Sequence, residues 1–306
     1  MSGSSKPAAE PVSSLADTRS VAVLGLGPMG MPIAANLIVA GFNVSVWNRT
    51  RSVATSFEPT ARAPERLEDL DSTVILSVLP DVDQLEALAS SDVLAAWQTA
   101  GTDRIIIMST TSPAKVKRFA ATAAGYGIAV IDAPMSGGDK GARDATMSVM
   151  VGSSPEQFAS IKPILDAIAG TIERMGDVGS GSVAKLCNQV IVASTLTAVA
   201  ESLALARAYG LDLERLVRIF QGGLADSAVL DHKRDKLLKR TYALGGSAKN
   251  QLKDLEYAHS AADTVGLRTD VLSTVETLFA EVVSSGLGEE DHAVVQELFL
   301  GSTTHR

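Results

Sequence analysis

Short runs of β-branched and aliphatic residues recur through the first half of the chain, each followed by a stretch with helical spacing. Val21–Leu26, Asn43–Trp47, Thr73–Val78, Arg104–Ser109, Gly127–Asp132 and Thr146–Val151 predict strands. Met29–Ala40, Pro113–Ala124 and Pro155–Ile168 predict helices between them. Mostly apolar strands that alternate with helices call for a parallel sheet covered on both faces, the doubly wound α/β class. Past Gly176, Gly179 and Gly181 the pattern turns helical throughout. A long helix over about Ser182–Tyr209 is followed by Asp212–Phe220, Ser227–Lys239, Ala248–Thr264, Asp270–Ser284 and Glu290–Leu300. Asp212 and Asp270 fall at expected helix starts, where an acidic group suits the dipole. Gly210, Gly266 and Gly286 fall at expected C-caps.

Length and composition narrow the class. A chain of 306 residues is long enough for about two domains, and its 46% hydrophobic content supplies a substantial core. Only 4% of residues are aromatic, so that core is aliphatic and alanine-rich. A net charge of −8 argues against a nucleic-acid partner, which needs a basic face. The single cysteine, Cys187, can form no internal disulfide and points to a reducing cytoplasm; the residue is expected to face a packed helix and be inert. Met1–Ser20 is rich in Ser, Ala and Pro without an apolar export core, and reads as a disordered arm. The uncharged run Leu186–Ala200 is shorter than the ~20 residues a bilayer requires, so a buried helix in a soluble protein, with no membrane partner, is expected.

Gly25-Leu26-Gly27-Pro28-Met29-Gly30 follows the first predicted strand and opens a helix. G-x-G-x-x-G alone is weak, since glycine is common in turns, but here strand, helix and a second strand ending about 20 residues on are all in place. Gly25 would allow the tight turn, Gly27 would let a pyrophosphate approach the backbone, and Gly30 would pack helix on strand, with the phosphates at the helix N-terminus. After the second strand come Asn48, Arg49 and Thr50, where an NAD enzyme usually carries Asp or Glu for the ribose hydroxyl. A carboxylate would repel a 2′-phosphate, whereas a guanidinium can pair with it, so the expected cofactor is NADP(H). The expected division is therefore an arm over 1–20, a Rossmann-type NADP-binding domain over 21–180, and an all-helical substrate and dimerisation domain over 181–306.

Two further segments carry polar chemistry. Asp132-Ala133-Pro134-Met135-Ser136-Gly137-Gly138 ends a strand, and its Ser-Gly-Gly suits either a backbone nest for a carboxylate or an ordinary glycine turn. At the start of the long helix Lys185, Asn188 and Gln189 share one side of an otherwise apolar surface. Polar groups in such company need partners, which makes them candidates for a site between domains; a lysine snorkelling from a helix end is the alternative.

Together these segments resemble the β-hydroxyacid dehydrogenases, the group of 3-hydroxyisobutyrate dehydrogenases and tartronate semialdehyde reductases. The resemblance rests on Gly25–Gly30, Ser109-Thr110-Thr111-Ser112-Pro113, Asp132–Gly138, Lys185 with its polar neighbours, and Lys253-Asp254-Leu255, and spans Val21 to Leu300. It implies a Rossmann-type domain joined through a long helix to an all-helical domain. It also implies NADP(H)-linked interconversion of a small 3-hydroxy acid and its semialdehyde in a homodimer or homotetramer. By that resemblance Lys185 moves the proton, Ser136, Gly137 and Gly138 grip the substrate carboxylate, Thr110 lies near the nicotinamide, Leu79 and Pro80 form a cofactor-side loop, and Lys253 reaches over the cofactor. Gln189 departs from the family's usual Asn four residues after the lysine and is one methylene longer, which bears on substrate position. Asn188 is the ordinary neighbour. A lysine desolvated in a cleft loses basicity toward working pH, as proton transfer requires.

Two other readings share the sequence pattern. Imine reductases have this architecture but commonly carry Asp or Tyr where Lys185 stands. A non-catalytic NADP-binding interaction module would not need the lysine and would be expected to carry a basic tract. His232, His259, His292 and His305 show no ligand spacing, so no metal is expected. Asp231–Lys239, a mixed charge run, reads as a solvated helix face.

Overall fold

A computed structural model describes residues 20–243 and 245–300; the expected arm lies almost wholly outside the described residues, as does His305. The first half builds an eight-stranded sheet. Its strands are β1 (Ser20–Leu24), β2 (Asn43–Trp47), β3 (Val74–Ser77), β4 (Arg104–Ile107), β5 (Ala129–Asp132), β6 (Met135–Ser136), β7 (Met147–Gly152) and β8 (Ala169–Gly176). The order is β2-β1-β3-β4-β5-β7-β6, with β8 on β7. β1 to β5 run parallel, while β7 is antiparallel to both β5 and β6, a turn of the sheet that the apolar runs did not reveal.

Period-two alternation sends successive side chains to opposite faces. Val21 and Val23 of β1 join one fully buried cluster with Ile33 and Leu37 of α1 (Gly30–Val39). Ala22 and Leu24 join the other, with Leu85 of α3 (Val82–Leu88), Trp97 of α4 (Ser91–Thr99) and Phe119 of α5 (Pro113–Ala124). The short α2 (Arg51–Thr55) and α6 (Gly138–Arg143), with α7 (Pro155–Asp166), complete this half. Because the chain winds from β1 to β2 on one side and to β3 on the other, the crevice beyond β1 and β3 is the topological switch point, where open α/β sheets bind ligands.

The second half is helical: α8 (Ser180–Ala208), α9 (Leu213–Gln221), α10 (Ala228–Lys239), α11 (Ala248–Asp263), α12 (Asp270–Val282) and a closing 3-10 turn over His292–Leu298. Asp212 caps α9 by accepting from the Arg215 N–H, and Gly210, Gly266 and Gly286 all take positive φ at helix ends. The uncharged run extends at both ends into a helix of 29 residues, long and apolar enough by length and composition to cross a membrane. It is nonetheless a core element: Ala193, Leu196, Ala200 and Leu203 are sealed against α10, α11 and α12.

Two expectations on these helices need correction. Cys187 is exposed, because Lys185, Leu186 and Gln189 define the buried side of α8 and residue 187 stands about 200° round from Lys185. Lys233 in the charged run is buried, since it shares a face with core residues Leu230 and Leu237; its ammonium meets both oxygens of the sealed Asp291 at 2.8 and 2.9 Å.

Candidate active site

The glycine loop lies at the switch point. Gly25 has φ +93°, and a Cβ there would come within 2.8 Å of the Val78 carbonyl, so the loops after β1 and β3 touch through this residue. A Cβ on Gly30 would lie 1.8 Å from the Gly25 carbonyl oxygen; only glycine lets α1 start so close to its strand. Gly27 faces open space. Met29 precedes α1 without a side-chain cap and the first turn holds no acidic residue. Met31 and Ile33 donate to the Gly27 and Met29 carbonyls and Pro32 has no N–H, so the N–H groups of Gly27, Met29 and Gly30, unpaired among the described residues, are the ones that could meet an anion. This cradle fits a dinucleotide pyrophosphate. Pro28 is exposed beside it, and Leu26 donates its N–H to Asn48 Oδ1 (3.1 Å), tying the glycine loop to the end of β2.

At that end, Asn48 also donates to the Thr50 carbonyl (3.2 Å). Arg51 is committed to the Ala63 and Pro64 carbonyls, whereas exposed Arg49 has no hydrogen-bond or ion-pair partner among the described residues. Sequence inspection cannot separate the two arginines; the structure does.

A further candidate segment is the start of α8. Asp132, sealed at the end of β5, accepts from the Gly179 N–H (2.7 Å) and the Ser182 N–H (2.6 Å), supplying the cap that Gly179 lacks. Burial raises the Asp132 carboxyl above its ordinary range against the pull of those bonds. Gly181 packs so closely that a Cβ would come 2.3 Å from the Met150 carbonyl. These contacts fix the first turn of α8 to the sheet and set the direction of Lys185.

Lys185 is 7% exposed, and its amine has no hydrogen bond or ion pair among the described residues. Desolvation brings its pKa down to about 8, with Asp254 pulling up and Lys253 pushing down. Gln189, one turn on, donates to Asp254 Oδ2 (2.6 Å) and accepts from Asn188 (3.1 Å). The longer amide is thus engaged with α11. Burial raises the Asp254 carboxyl, while the Lys253 ammonium 3.4 Å from its Oδ1 opposes the shift.

Lys253 joins the two halves. Its ammonium donates to the carbonyls of Pro80 (3.0 Å) and Thr110 (2.8 Å), on the loops after β3 and β4. One turn along, the Tyr257 hydroxyl donates to Asp81 (2.6 Å) and accepts from Lys115 (2.7 Å). Asp81 accepts in addition from Thr111 (2.8 Å), and Ser109 donates to the Leu79 carbonyl (2.7 Å). Sequence reasoning found Lys253, Leu79, Pro80 and Thr110, but not Asp81, Lys115 or Tyr257.

Ser136 and Gly137 follow β5, with Gly137 at φ +130° and Gly138 at +63°. A Cβ on Gly138 would stand 3.5 Å from His232 of α10, so this turn too faces the helical half. Among the described residues no group of three or more His, Cys, Asp or Glu could hold a metal ion. His292 is half-buried, with its Nδ1 on Gln251 (3.0 Å), and His259 pairs with Glu276 (2.6 Å).

Comparison with known proteins assigns this arrangement to a family. Residues 20–176 match the model of the NAD binding domain of 6-phosphogluconate dehydrogenase. Residues 179–299 match that of the NAD-binding domain of NADP-dependent 3-hydroxyisobutyrate dehydrogenase. The chain is 33% identical to 2-hydroxy-3-oxopropionate reductase of Escherichia coli over 90% of its length and 96% of that protein's. Mycobacterium tuberculosis 3-hydroxyisobutyrate dehydrogenase, solved with L-serine, superposes with a TM-score of 0.80 at 26% identity, covering 92% of this chain and 99% of that one. An imine reductase from Myxococcus stipitatus, at 20% identity, matches with a TM-score of 0.63, covering 91% and 99%. The chain therefore belongs to the 3-hydroxyisobutyrate dehydrogenase family, within the wider group built on the 6-phosphogluconate dehydrogenase nucleotide-binding domain, and is an NAD(P)-dependent oxidoreductase.

Proposed function

We propose that the protein interconverts a small 3-hydroxy acid and its semialdehyde, using NADP(H) as the hydride carrier and Lys185 as the proton carrier. The observation that carries this reading is the Lys185 amine: buried, without a hydrogen bond or ion pair among the described residues, and lowered by desolvation to about 8. Such a group can give a proton to an aldehyde oxygen and take it back from an alcohol near neutral pH. The bound nicotinamide supplies the hydride in one direction and accepts it in the other.

The remaining residues bind and orient. The glycine loop over residues 25–30 holds the pyrophosphate, and Arg49, with Asn48 and Thr50, receives the 2′-phosphate, since its guanidinium has no partner among the described residues while Arg51 is engaged. Leu79, Pro80 and Thr110, tied together by Lys253, frame the nicotinamide end. Ser136, Gly137 and Gly138 hold the substrate carboxylate, so that the carbinol carbon faces the ring. Gln189 positions Asp254 beside the amine, with Asn188 behind it. The names of the similar enzymes, a 2-hydroxy-3-oxopropionate reductase and a 3-hydroxyisobutyrate dehydrogenase, support a small carboxylate-bearing substrate.

The test is a panel of 3-hydroxy acids and semialdehydes run with both nicotinamides, on the wild type and on Lys185→Ala. Turnover is expected to favour the phosphorylated coenzyme and to vanish in the variant, while NADPH still binds with nearly unchanged affinity. Wild-type rates in Lys185→Ala would overturn the lysine's role.

A further inference from the structure

His232 lies on the face of α10 that meets the Ser-Gly-Gly turn. A methyl built on Gly138 would stand 3.5 Å from its Nε2 and 3.7 Å from its Cε1, so the ring occupies the space next to that glycine. The imidazole makes no hydrogen bond or ion pair among the described residues, and its outer side is open to solvent. The ionic groups around it are otherwise engaged. Asp139 of α6 is held by Arg143 (2.9 Å) and by the Lys140 N–H (2.9 Å). Lys233 and Lys236, on its own helix, both bind Asp291 from the segment before the closing 3-10 turn. An imidazole without a hydrogen bond among the described residues thus stands beside a turn of two positive-φ glycines.

We propose that His232 is a substrate-binding residue: it donates from the helical half to the substrate carboxylate held at Ser136, Gly137 and Gly138, and sets selectivity for acids over neutral analogues. This rests on the carboxylate grip proposed above. Burial and Lys233 lower the basicity of the free imidazole, while Asp139, Asp291 and an arriving carboxylate raise it. Acid binding therefore draws a proton onto the ring, and affinity strengthens as pH falls through its titration.

The test measures dissociation of 3-hydroxyisobutyrate, and of its methyl ester, from NADPH-loaded protein, where the hydroxy acid binds without reacting. His232→Ala is expected to weaken acid binding roughly ten- to a hundredfold, the worth of one charged hydrogen bond, and to leave the ester unchanged. His232→Gln, which keeps an N–H donor, should recover part of the loss yet remove the pH dependence seen in the wild type. If His232→Ala binds the acid like the wild type while Ser136→Ala does not, the histidine proposal falls and the grip stands. If neither substitution weakens the acid, the carboxylate grip falls as well.

Discussion

At the residue scale the proposed chemistry rests on one amine, that of Lys185, whose proton affinity is set by where it is buried. A lysine with pKa about 8 is mostly charged at pH 7 and mostly neutral at pH 9. In the proposed reaction, reduction uses the charged form and oxidation the neutral one. Oxidation of the hydroxy acid is therefore expected to rise with pH through about 8, while reduction of the aldehyde falls over the same window. Asp254→Asn, which removes the charge holding the amine up, should move both limbs to lower pH. Initial-rate profiles in each direction check this, and limbs that stay in place in Asp254→Asn would refute the coupling. The lysine and the Ser-Gly-Gly turn were each ambiguous in the sequence, since a snorkelling helix end and an ordinary glycine turn use the same residue types, and only the family resemblance singled them out. Asp81, Lys115 and Tyr257 did not, because a tyrosine or a carboxylate on a polar face is ordinary. Their meaning comes from partners as far as 176 positions apart.

At the element scale, the parallel strands and most long helices were legible because each buries a one-sided or continuous apolar pattern. β8 was not. It pairs only with β7, and its exposed and half-exposed positions show no apolar run. The two-residue β6 is too short for any period to register, and α3 and α4 lie close together behind a polar stretch. The end of β5 shows how elements are fastened. Asp132 caps α8 across a separation of about fifty residues, so its removal should cost more than a surface carboxylate would. Asp132→Ala leaves two buried N–H groups unpaired, a loss of about 2–6 kcal/mol at roughly 1–3 each. Thermal or denaturant unfolding should register it, along with a lower kcat from a displaced Lys185. A variant with wild-type stability would remove Asp132 from this role.

At the scale of the whole molecule, two residues one turn apart on α11 fasten the helical half to the loops after β3 and β4. Lys253 spans the loops after β3 and β4, and Tyr257 binds between Asp81 and Lys115. Tyr257→Phe keeps the ring packing, including its stacking with the Lys115 ammonium at 4.8 Å, but deletes both hydroxyl bonds. Hydrogen–deuterium exchange should then speed up in residues 78–83 and 108–115, with the sheet interior unchanged. Protection equal to wild type in those loops would show that the clasp contributes nothing. Because Asp132 tethers the first turn of α8 to the end of β5, the Lys185 amine is referenced to the sheet, whereas Asp254 and Lys253, which bias its proton, ride on the bundle. Prying the halves apart would return that amine to water and to ordinary basicity. Its depressed proton affinity exists only while the two bodies meet.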